Sequence, residues 1–326
     1  MSDVVAAGVA FLVAGSLVPL LVRFAVGRNL LDVPNTRSSH EVPTPRLGGI
    51  AIIFGVWAGV ALIRPESAWP LLIAATLIGG VGLVDDLGTL HFGAKAAAQT
   101  LAAATLLLLY PPPVLAAAPA LINVFVFLVG ILWIVAVTNA FNFMDGIDGF
   151  IGGVALVNIT FLVVLAGGAA FALPVLAGAT AGFLIWNINP ASIFLGDSGS
   201  YFLGFFLAAT ALYLPLTGVG WGPRIFFAAI LIFTPLLFDT AYTLLRRFRA
   251  GKNIFSAHRE HIYQRITPVS GLHRRTSYFY YAASVASGFA ALLVASGGIF
   301  ILAGLLLAVT CCAALLGLPK VVRDAE

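Results

Sequence analysis

The sequence predicts an all-α, polytopic integral membrane protein with about eleven transmembrane helices, and three observations carry that prediction. Hydrophobic residues make up 61% of the 326 positions and charged residues 9%, whereas soluble domains carry about 25% charged residues. Apolar runs of bilayer length recur along the whole chain, giving a mean hydropathy of +1.05. Lysines and arginines, finally, segregate into alternate loops.

The first apolar run, residues 4–26, follows Asp3 and not a basic segment, and it is long for a signal-peptide core, so it reads as a retained span. Further runs lie at about 48–63, 71–84, 94–110, 120–138, 150–166, 172–187, 200–214, 225–245, 276–296 and 299–317. Turn residues break them: "RPESAWP" after the second, "PPP" at 111–113, "GG" at 167–168, "LTGVGWGP" at 216–223 and "SGG" at 296–298. Several runs are short enough to need tilt or a locally thinned bilayer. The polar connections expected on one side are 27–47, 85–94, 139–149, 188–199 and 246–275, within a single domain without internal repeat.

Charge supplies the orientation. With an external N-terminus, one set of loops and the tail hold fifteen of the seventeen Lys and Arg, and the other set holds only Arg64 and Arg224. The positive-inside rule then predicts a periplasmic N-terminus and a cytoplasmic C-terminus. The net charge of +4 is read through this topology, and no nucleic-acid partner is inferred from it. Cys311 and Cys312 are adjacent in an apolar run and suggest neither a disulfide framework nor a metal site.

The acids are placed unusually. Asp85 and Asp86 in "GLVDDLG", Asp145 and Asp148 in "NAFNFMDGIDG" (139–149), Asp197 in "FLGDSGS" and Asp239 in "FDTAY" all fall at or near the predicted cytoplasmic ends of spans. Each motif alone could cap a helix. Four polar acceptors in 139–149, Asn139, Asn142, Asp145 and Asp148, exceed what a cap requires. Clustered carboxylates must bind protons or share a cation. Oxygen-only ligands suit Mg²⁺ or Mn²⁺, and Mg²⁺ commonly takes one or two carboxylates and leaves the rest to water and phosphate. The cationic half of such a site is offered by "DVPNTRSSHEVPTPRLGG" (32–49), with Arg37, His40 and Arg46, and by "RRFRAGKNIFSAHREHIYQR" (246–265), with His258, Arg259 and His261. Arginine binds phosphate in a fork, and histidine can donate at neutral pH when its surroundings raise its pKa. Basic loops are also what topology alone demands, and they attract anionic membrane lipid.

Taken in order, "PTPRLGG", "GLVDDLG", "NxxNxxDGIDG", "WNINPASIFLGDSGS" (186–200), "FDTAY" and "HREHIYQR" resemble the polyprenyl-phosphate N-acetylhexosamine-1-phosphate transferases, glycosyltransferase family 4. The segment "DVPNTRSSHEVPTPR" is most similar to the branch that starts O-antigen or other surface-polysaccharide assembly. The resemblance implies a Mg²⁺-dependent enzyme of the bacterial inner membrane. It would transfer HexNAc 1-phosphate from a UDP-N-acetylhexosamine to undecaprenyl phosphate at the cytoplasmic face and release UMP, and a homodimer fits the family. By motif, Asp197, with Asp86 and Asn142, is expected at the metal. Asp85 or Asp86 is expected to deprotonate the lipid phosphate. Lys95 is expected on a phosphate. Asn139, Asn142, Asp145, Asp148, Asn187 and Phe194 are expected around the nucleotide, with Phe194 near uracil. Arg37, His40, Arg46, His258, Arg259 and His261 are expected near the sugar or diphosphate. Two alternatives stand beside this reading. One is a phospho-N-acetylmuramoyl-pentapeptide transferase, although a triple-histidine run of that enzyme is replaced here by His258-Arg-Glu-His261. The other is a cation transporter, whose site would sit near the midplane.

Overall fold

A computed structural model describes residues 2–34, 42–63, 68–112, 120–168, 172–214, 224–254, 256, 258–270 and 273–324. Among them the helices are α1 (Asp3–Gly27), α2 (Gly48–Ile63), α3 (Trp69–Leu87), α4 (Phe92–Leu109), α5 (Ala120–Phe143), α6 (Phe150–Leu165) and α7 (Leu173–Asn187). They continue with α8 (Gly196–Tyr213), α9 (Arg224–Ile232), α10 (Thr234–Arg249), α11 (Ile262–Ser270), α12 (His273–Ser296) and α13 (Phe300–Asp324). A two-residue antiparallel ladder, which an all-helical reading omits, joins β1 (Leu31–Asp32) to β2 (Thr44–Pro45).

A helix stands at every predicted apolar run, and the chain is a multi-pass membrane protein. Six helices (α1, α3, α4, α5, α12 and α13) are long and apolar enough to cross a bilayer. The run expected as one span at 225–245 is two helices, α9 and α10, bent by 69° at Phe233, and counting that pair as one span gives up to seven. Pro235 in the first turn of α10 explains the break, because proline cannot donate into a continuing helix. α2, α6 and α7 are apolar but only 16, 16 and 15 residues long. Several predicted loops are in part helical. α3 runs through Asp85 and Asp86, α5 runs through Asn139 and Asn142, and α11 lies inside the 246–275 connection.

Small residues decide the packing. α1 lies between α2 and α7 and offers Ala6, Ala10 and Ala14, all fully buried. Facing it are two glycine pairs spaced by four, Gly55/Gly59 on α2 and Gly178/Gly182 on α7. A Cβ on Gly178 would come within 2.1 Å of the Ala7 carbonyl oxygen, and one on Gly182 within 2.2 Å of the Phe11 carbonyl. Only glycine lets these backbones meet so closely, which is how helices associate where lipid removes the hydrophobic drive. α8 occupies the middle, against α2, α3 and α5, and is buried from Ser198 to Tyr213. Only its first turn, at Asp197, is partly open.

Candidate active site

Four chain segments meet at the N-terminus of α8. The segment before α2 docks by backbone bonds: Phe194 N donates to Pro45 O at 2.7 Å, Gly48 N to Phe194 O at 2.9 Å and Gly49 N to Leu195 O at 2.8 Å. α3 docks through Gly82, where a Cβ would lie 2.3 Å from the Asp197 carbonyl. This close approach places Asp86 over the new helix. Asp197 N donates to Asp86 Oδ1 at 2.9 Å and Ser198 N to Oδ2 at 3.0 Å. Asp86 is therefore the N-terminal anion of α8, where unpaired amides and the helix dipole favour a carboxylate. Sequence reading placed it at the metal. The structure places both its oxygens on backbone amides first.

Asp85 lies next to this contact. Its Oδ1 accepts from Leu90 N at 2.7 Å and its Oδ2 from Lys95 Nζ at 2.6 Å. The same ammonium stands 3.9 Å from Asp197 Oδ2, and the Asp85 and Asp197 carboxylates approach within hydrogen-bonding reach of each other. α5 completes the wall. Asn142 Nδ2 donates to Asp197 Oδ1 at 2.8 Å and to Ser200 Oγ at 3.1 Å. Asn139 points one turn back, donating to Gln99 Oε1 at 2.6 Å and to its own helix at Val135 O. It ties α4 to α5 and takes no part in the acid cluster's hydrogen bonds.

Asp145 leads the loop after α5. Burial, followed by the charges of Asp197, Asp86 and Asp148, pushes its carboxyl well above the ordinary carboxylate range. Asp148, three residues on, has the opposite environment. Burial alone would raise its carboxyl, but His273, Asn189 Nδ2 at 2.8 Å and Ala191 N at 3.2 Å together hold it below the ordinary value. His273 Nδ1 stands 3.7 Å from Asp148 Oδ2, and Arg274 Nη2 donates to Asn189 O at 2.6 Å. Asn187 is buried and bonded on both sides, accepting from Gly149 N and donating to Ile193 O. It positions the 144–149 loop against the loop carrying Phe194, whose ring is half-buried.

The basic 246–265 segment is an organised layer and more than a topogenic loop. Glu260 binds Arg246 at 3.3 Å, Lys252 at 3.0 Å and the buried Arg247. The hydrogen bond from Lys252 and these neighbouring charges hold the Glu260 carboxyl below its ordinary value. Asp239, fully buried, accepts from Ile262 N at 2.8 Å, Tyr263 N at 3.1 Å, Tyr280 Oη at 2.6 Å and Thr243 Oγ1 at 3.2 Å. His261 Nδ1 lies 3.3 Å from the same carboxylate, and the ring is buried between Phe143 and His258. Tyr263 Oη donates to Phe143 O at 3.2 Å, linking this layer to the acid loop.

His258 stacks on His261. Its Nδ1 lies 3.1 Å from Ser256 O. A carbonyl only accepts, so Nδ1 carries the proton. Burial lowers the ring's pKa, so the imidazole is neutral at pH 7 and Nε2 presents a lone pair. That Nε2 is buried and without a partner among the described residues. A raised pKa would have made the ring a donor; burial makes it an acceptor. Arg259 beside it is exposed. Arg46 reaches Asp86 with its charge and is paired with Asp32. Arg37 and His40 lie outside the described residues.

The donor set admits a hard cation. Among the described residues no three His, Cys, Asp or Glu side chains gather into a preformed metal cage. Mg²⁺ needs none, since substrate phosphates and water fill most of its positions. Unlike Asp85, Asp86 and Asp148, which accept from backbone amides, Asp197 accepts from the side chain of Asn142, and Asn142 adds a carbonyl oxygen. Sequence reading missed Gln99, Ser200, Asn189, His273, Arg274 and Glu260, and it noted Asp239 in "FDTAY" without its anchoring role. A lone glutamine in an apolar helix was the available signal for Gln99, and a fifth histidine beside paired arginines for His273.

Comparison with known proteins gives the family of the chain that carries this geometry. The sequence model of glycosyl transferase family 4 matches residues 68–215, which carry Asp85, Asp86, Asp145, Asp148 and Asp197. A probable undecaprenyl-phosphate N-acetylglucosaminyl 1-phosphate transferase of Bacillus subtilis is 30% identical over 83% of this chain and 79% of its own. A decaprenyl-phosphate N-acetylglucosaminephosphotransferase of Mycobacterium leprae is 33% identical over 74% of this chain and 71% of its own. A phospho-N-acetylmuramoyl-pentapeptide-transferase of Mycobacteroides abscessus is 30% identical over 64% of this chain and 75% of its own. The chain belongs to glycosyl transferase family 4, among the polyprenyl-phosphate N-acetylhexosamine-1-phosphate transferases.

Proposed function

We propose that the protein transfers N-acetylhexosamine 1-phosphate from a UDP-N-acetylhexosamine to undecaprenyl phosphate and releases UMP. The single observation that carries this reading is the juxtaposition of Lys95, Asp85 and Asp197 at 2.6 and 3.9 Å, walled by Asn142. The net reaction joins a lipid-phosphate oxygen to the β-phosphorus of the donor and breaks that phosphorus's bond to the bridging oxygen, which leaves with UMP. Two anions must meet, so charge neutralisation dominates the barrier. Lys95 offsets the charge of an arriving phosphate, and Asp85 holds that ammonium in place. Asp197 and Asn142 would hold Mg²⁺, which when bound shields the diphosphate and stabilises charge on the leaving phosphate. Asp86 keeps the α8 N-terminus, and with it Asp197, fixed in the wall. His258 Nε2 would accept a hydroxyl of the sugar.

N-acetylglucosamine is the proposed sugar, because the names of the Bacillus and Mycobacterium relatives carry it. The fifteen-to-two partition of Lys and Arg supports a site on the cytoplasmic face of the inner membrane in an eleven-span, N-out chain. The reaction would be the first membrane step of a surface polysaccharide such as O-antigen. Purified protein incubated with a panel of UDP-sugars and undecaprenyl phosphate tests the reading. UMP should appear with UDP-N-acetylglucosamine, only with lipid phosphate and only with Mg²⁺. Turnover of UDP-N-acetylmuramoyl-pentapeptide alone would assign the other branch, and cation flux without UMP would assign a transporter.

His258 sets a pH dependence. Its folded pKa is lowered, so the neutral acceptor form persists down to the ordinary histidine range and is lost only below it. Wild-type kcat/KM is expected to fall more steeply below about pH 6.5 than that of His258→Gln, which keeps an uncharged acceptor. Parallel acid limbs in the two proteins would remove His258 from this role.

A further inference from the structure

The first turns of α12 grip both loops that carry the nucleotide-side residues, and the chemistry above gives this grip no part. His273, Ser277 and Tyr281 recur at steps of four and so share one face of the helix. Ser277 Oγ donates to Asp148 O at 3.3 Å, and Tyr281 Oη donates to Gly149 O. α6 and α12 meet closely here, since a Cβ on Gly153 would fall 2.2 Å from Tyr281 Cζ. Arg274, beside this stripe, donates to Asn189 O through both Nε and Nη2, at 3.2 and 2.6 Å. Asn189 in turn donates to Asp148 Oδ2 at 2.8 Å. One helix end therefore holds the 144–149 loop directly and the Phe194 loop through Asn189.

The clasp has one bond left to make. His273 Nδ1 stands 3.7 Å from Asp148 Oδ2. A charge-assisted N–H to carboxylate bond is about 2.7–2.9 Å long, so the gap is about 1 Å too wide. The nitrogen is buried and has no hydrogen-bond partner among the described residues. A carboxylate oxygen accepts, so the bond wants an N–H at Nδ1, and a buried N–H left unpaired is unfavourable. Asn189 Nδ2 and Ala191 N meanwhile draw the same oxygen toward the second loop. Hydrogen bonds at reactive sites commonly start long and tighten when substrate binds.

We infer that His273 is a positioning residue for the donor's nucleotide: a uridine nucleotide seated against Asp148 and Phe194 draws Asp148 onto His273 Nδ1, and Arg274 holds the Asn189 loop in place for that closure. The inference rests on the transferase reading and adds the device that sets donor affinity. The clasp acts on Asp148, Gly149 and Asn189, whereas the reacting phosphates are assigned to Lys95 and Asp197. Its loss should therefore show in donor binding and spare the chemical step.

Two measurements test it. In the first, UMP binding to the full-length protein in detergent is measured by calorimetry with Mg²⁺ present. His273→Leu is expected to weaken it about tenfold, the scale of one lost hydrogen bond to a charged group. The KM for the UDP-sugar should rise by the same factor, with kcat and the KM for undecaprenyl phosphate unchanged. His273→Asn, whose Nδ2 can stand where Nδ1 stood, should recover most of the lost affinity. Arg274→Gln should also weaken UMP binding, and Arg275→Gln, which removes the same charge from an exposed neighbour, should not. Unchanged UMP affinity in His273→Leu, no recovery in His273→Asn, or a fall in kcat at constant KM would overturn the inference. Equal losses in the two arginine variants would overturn the part given to Arg274. The second measurement needs no variant and decides if His273→Leu fails to fold. Hydrogen exchange of the wild type is compared with and without UMP, and 144–149, 188–195 and 273–281 are expected to gain protection together. Protection of the two loops without α12 would overturn the inference. A wild type that binds no UMP and turns over no UDP-sugar would sink the transferase reading and this inference with it, whereas UMP binding blind to His273 would sink the inference alone.

Discussion

Asp197→Asn is expected to lose at least about a thousandfold in kcat, the scale of removing a principal electrostatic contact in a charged transition state, while its thermal stability holds or rises. The two signs have one cause. Asp197 faces Asp85, with the charges of Asp86 and Asp145 close by, and among the described residues Lys95 and Asn142 balance it. Such crowding favours whatever cation the site recruits and burdens the fold without one. Asparagine is nearly isosteric and keeps an acceptor for Asn142 but removes the charge. Mn²⁺ affinity by electron paramagnetic resonance should fall with kcat, and unfolding in detergent should shift upward or not at all. A variant that keeps wild-type turnover would take the cation away from Asp197, and one that simply unfolds would make the residue structural.

The second large effect is expected far from the reacting atoms. Asp239→Ala should destabilise the protein by about 3–5 kcal/mol, the usual result of deleting one partner from a buried charged network. Four donors besides His261 converge on this carboxylate. Its removal leaves buried N–H and O–H groups without acceptors, and each costs about 1–3 kcal/mol. It also frees His261, and through Tyr263 loosens Phe143 at the edge of the acid loop. Asp239→Asn, which keeps one acceptor oxygen, should fall between wild type and alanine in thermal unfolding. Asp239→Ala with an unchanged melting profile would show that the network does not hold the layer together.

These two aspartates also show what the sequence could and could not disclose. Hydropathy located a helix at each apolar run, since burying an unpaired backbone in lipid is so unfavourable that length and composition nearly decide the matter. The ends were harder. Asp85, Asp86, Asn139 and Asn142 are polar, and polarity read as loop; yet the helices continue through them because α8 and its neighbours supply partners there. The bend at Phe233 had its signal in Pro235, but that proline lies inside an apolar run long enough to read as one span. Among the site residues, Asp85, Asp86, Asn142, Asp145 and Asp197 were found together by their type and position. Their division of labour was not legible. Whether a carboxylate faces substrate or caps a helix depends on which amides lie opposite, as Asp86 on the α8 N-terminus shows. The sign of the His258 shift likewise depends on burial, which a basic loop gives no reason to expect. Asp239 and Glu260 looked like ordinary edge and loop acids, because most partners of Asp239 lie 22 to 41 residues away and those of Glu260 lie 8 to 14 residues away in a loop that is basic throughout.

The central claim is that phosphorus and sugar travel together to the lipid, and it can be read directly. Donor UDP-N-acetylglucosamine labelled with ³²P at the β-phosphate is incubated with the purified protein, undecaprenyl phosphate and Mg²⁺. Label is predicted to appear in an organic-soluble sugar-diphosphate lipid, in step with unlabelled UMP. Label retained in released UDP, or set free in water-soluble sugar phosphate without a lipid product, would contradict it.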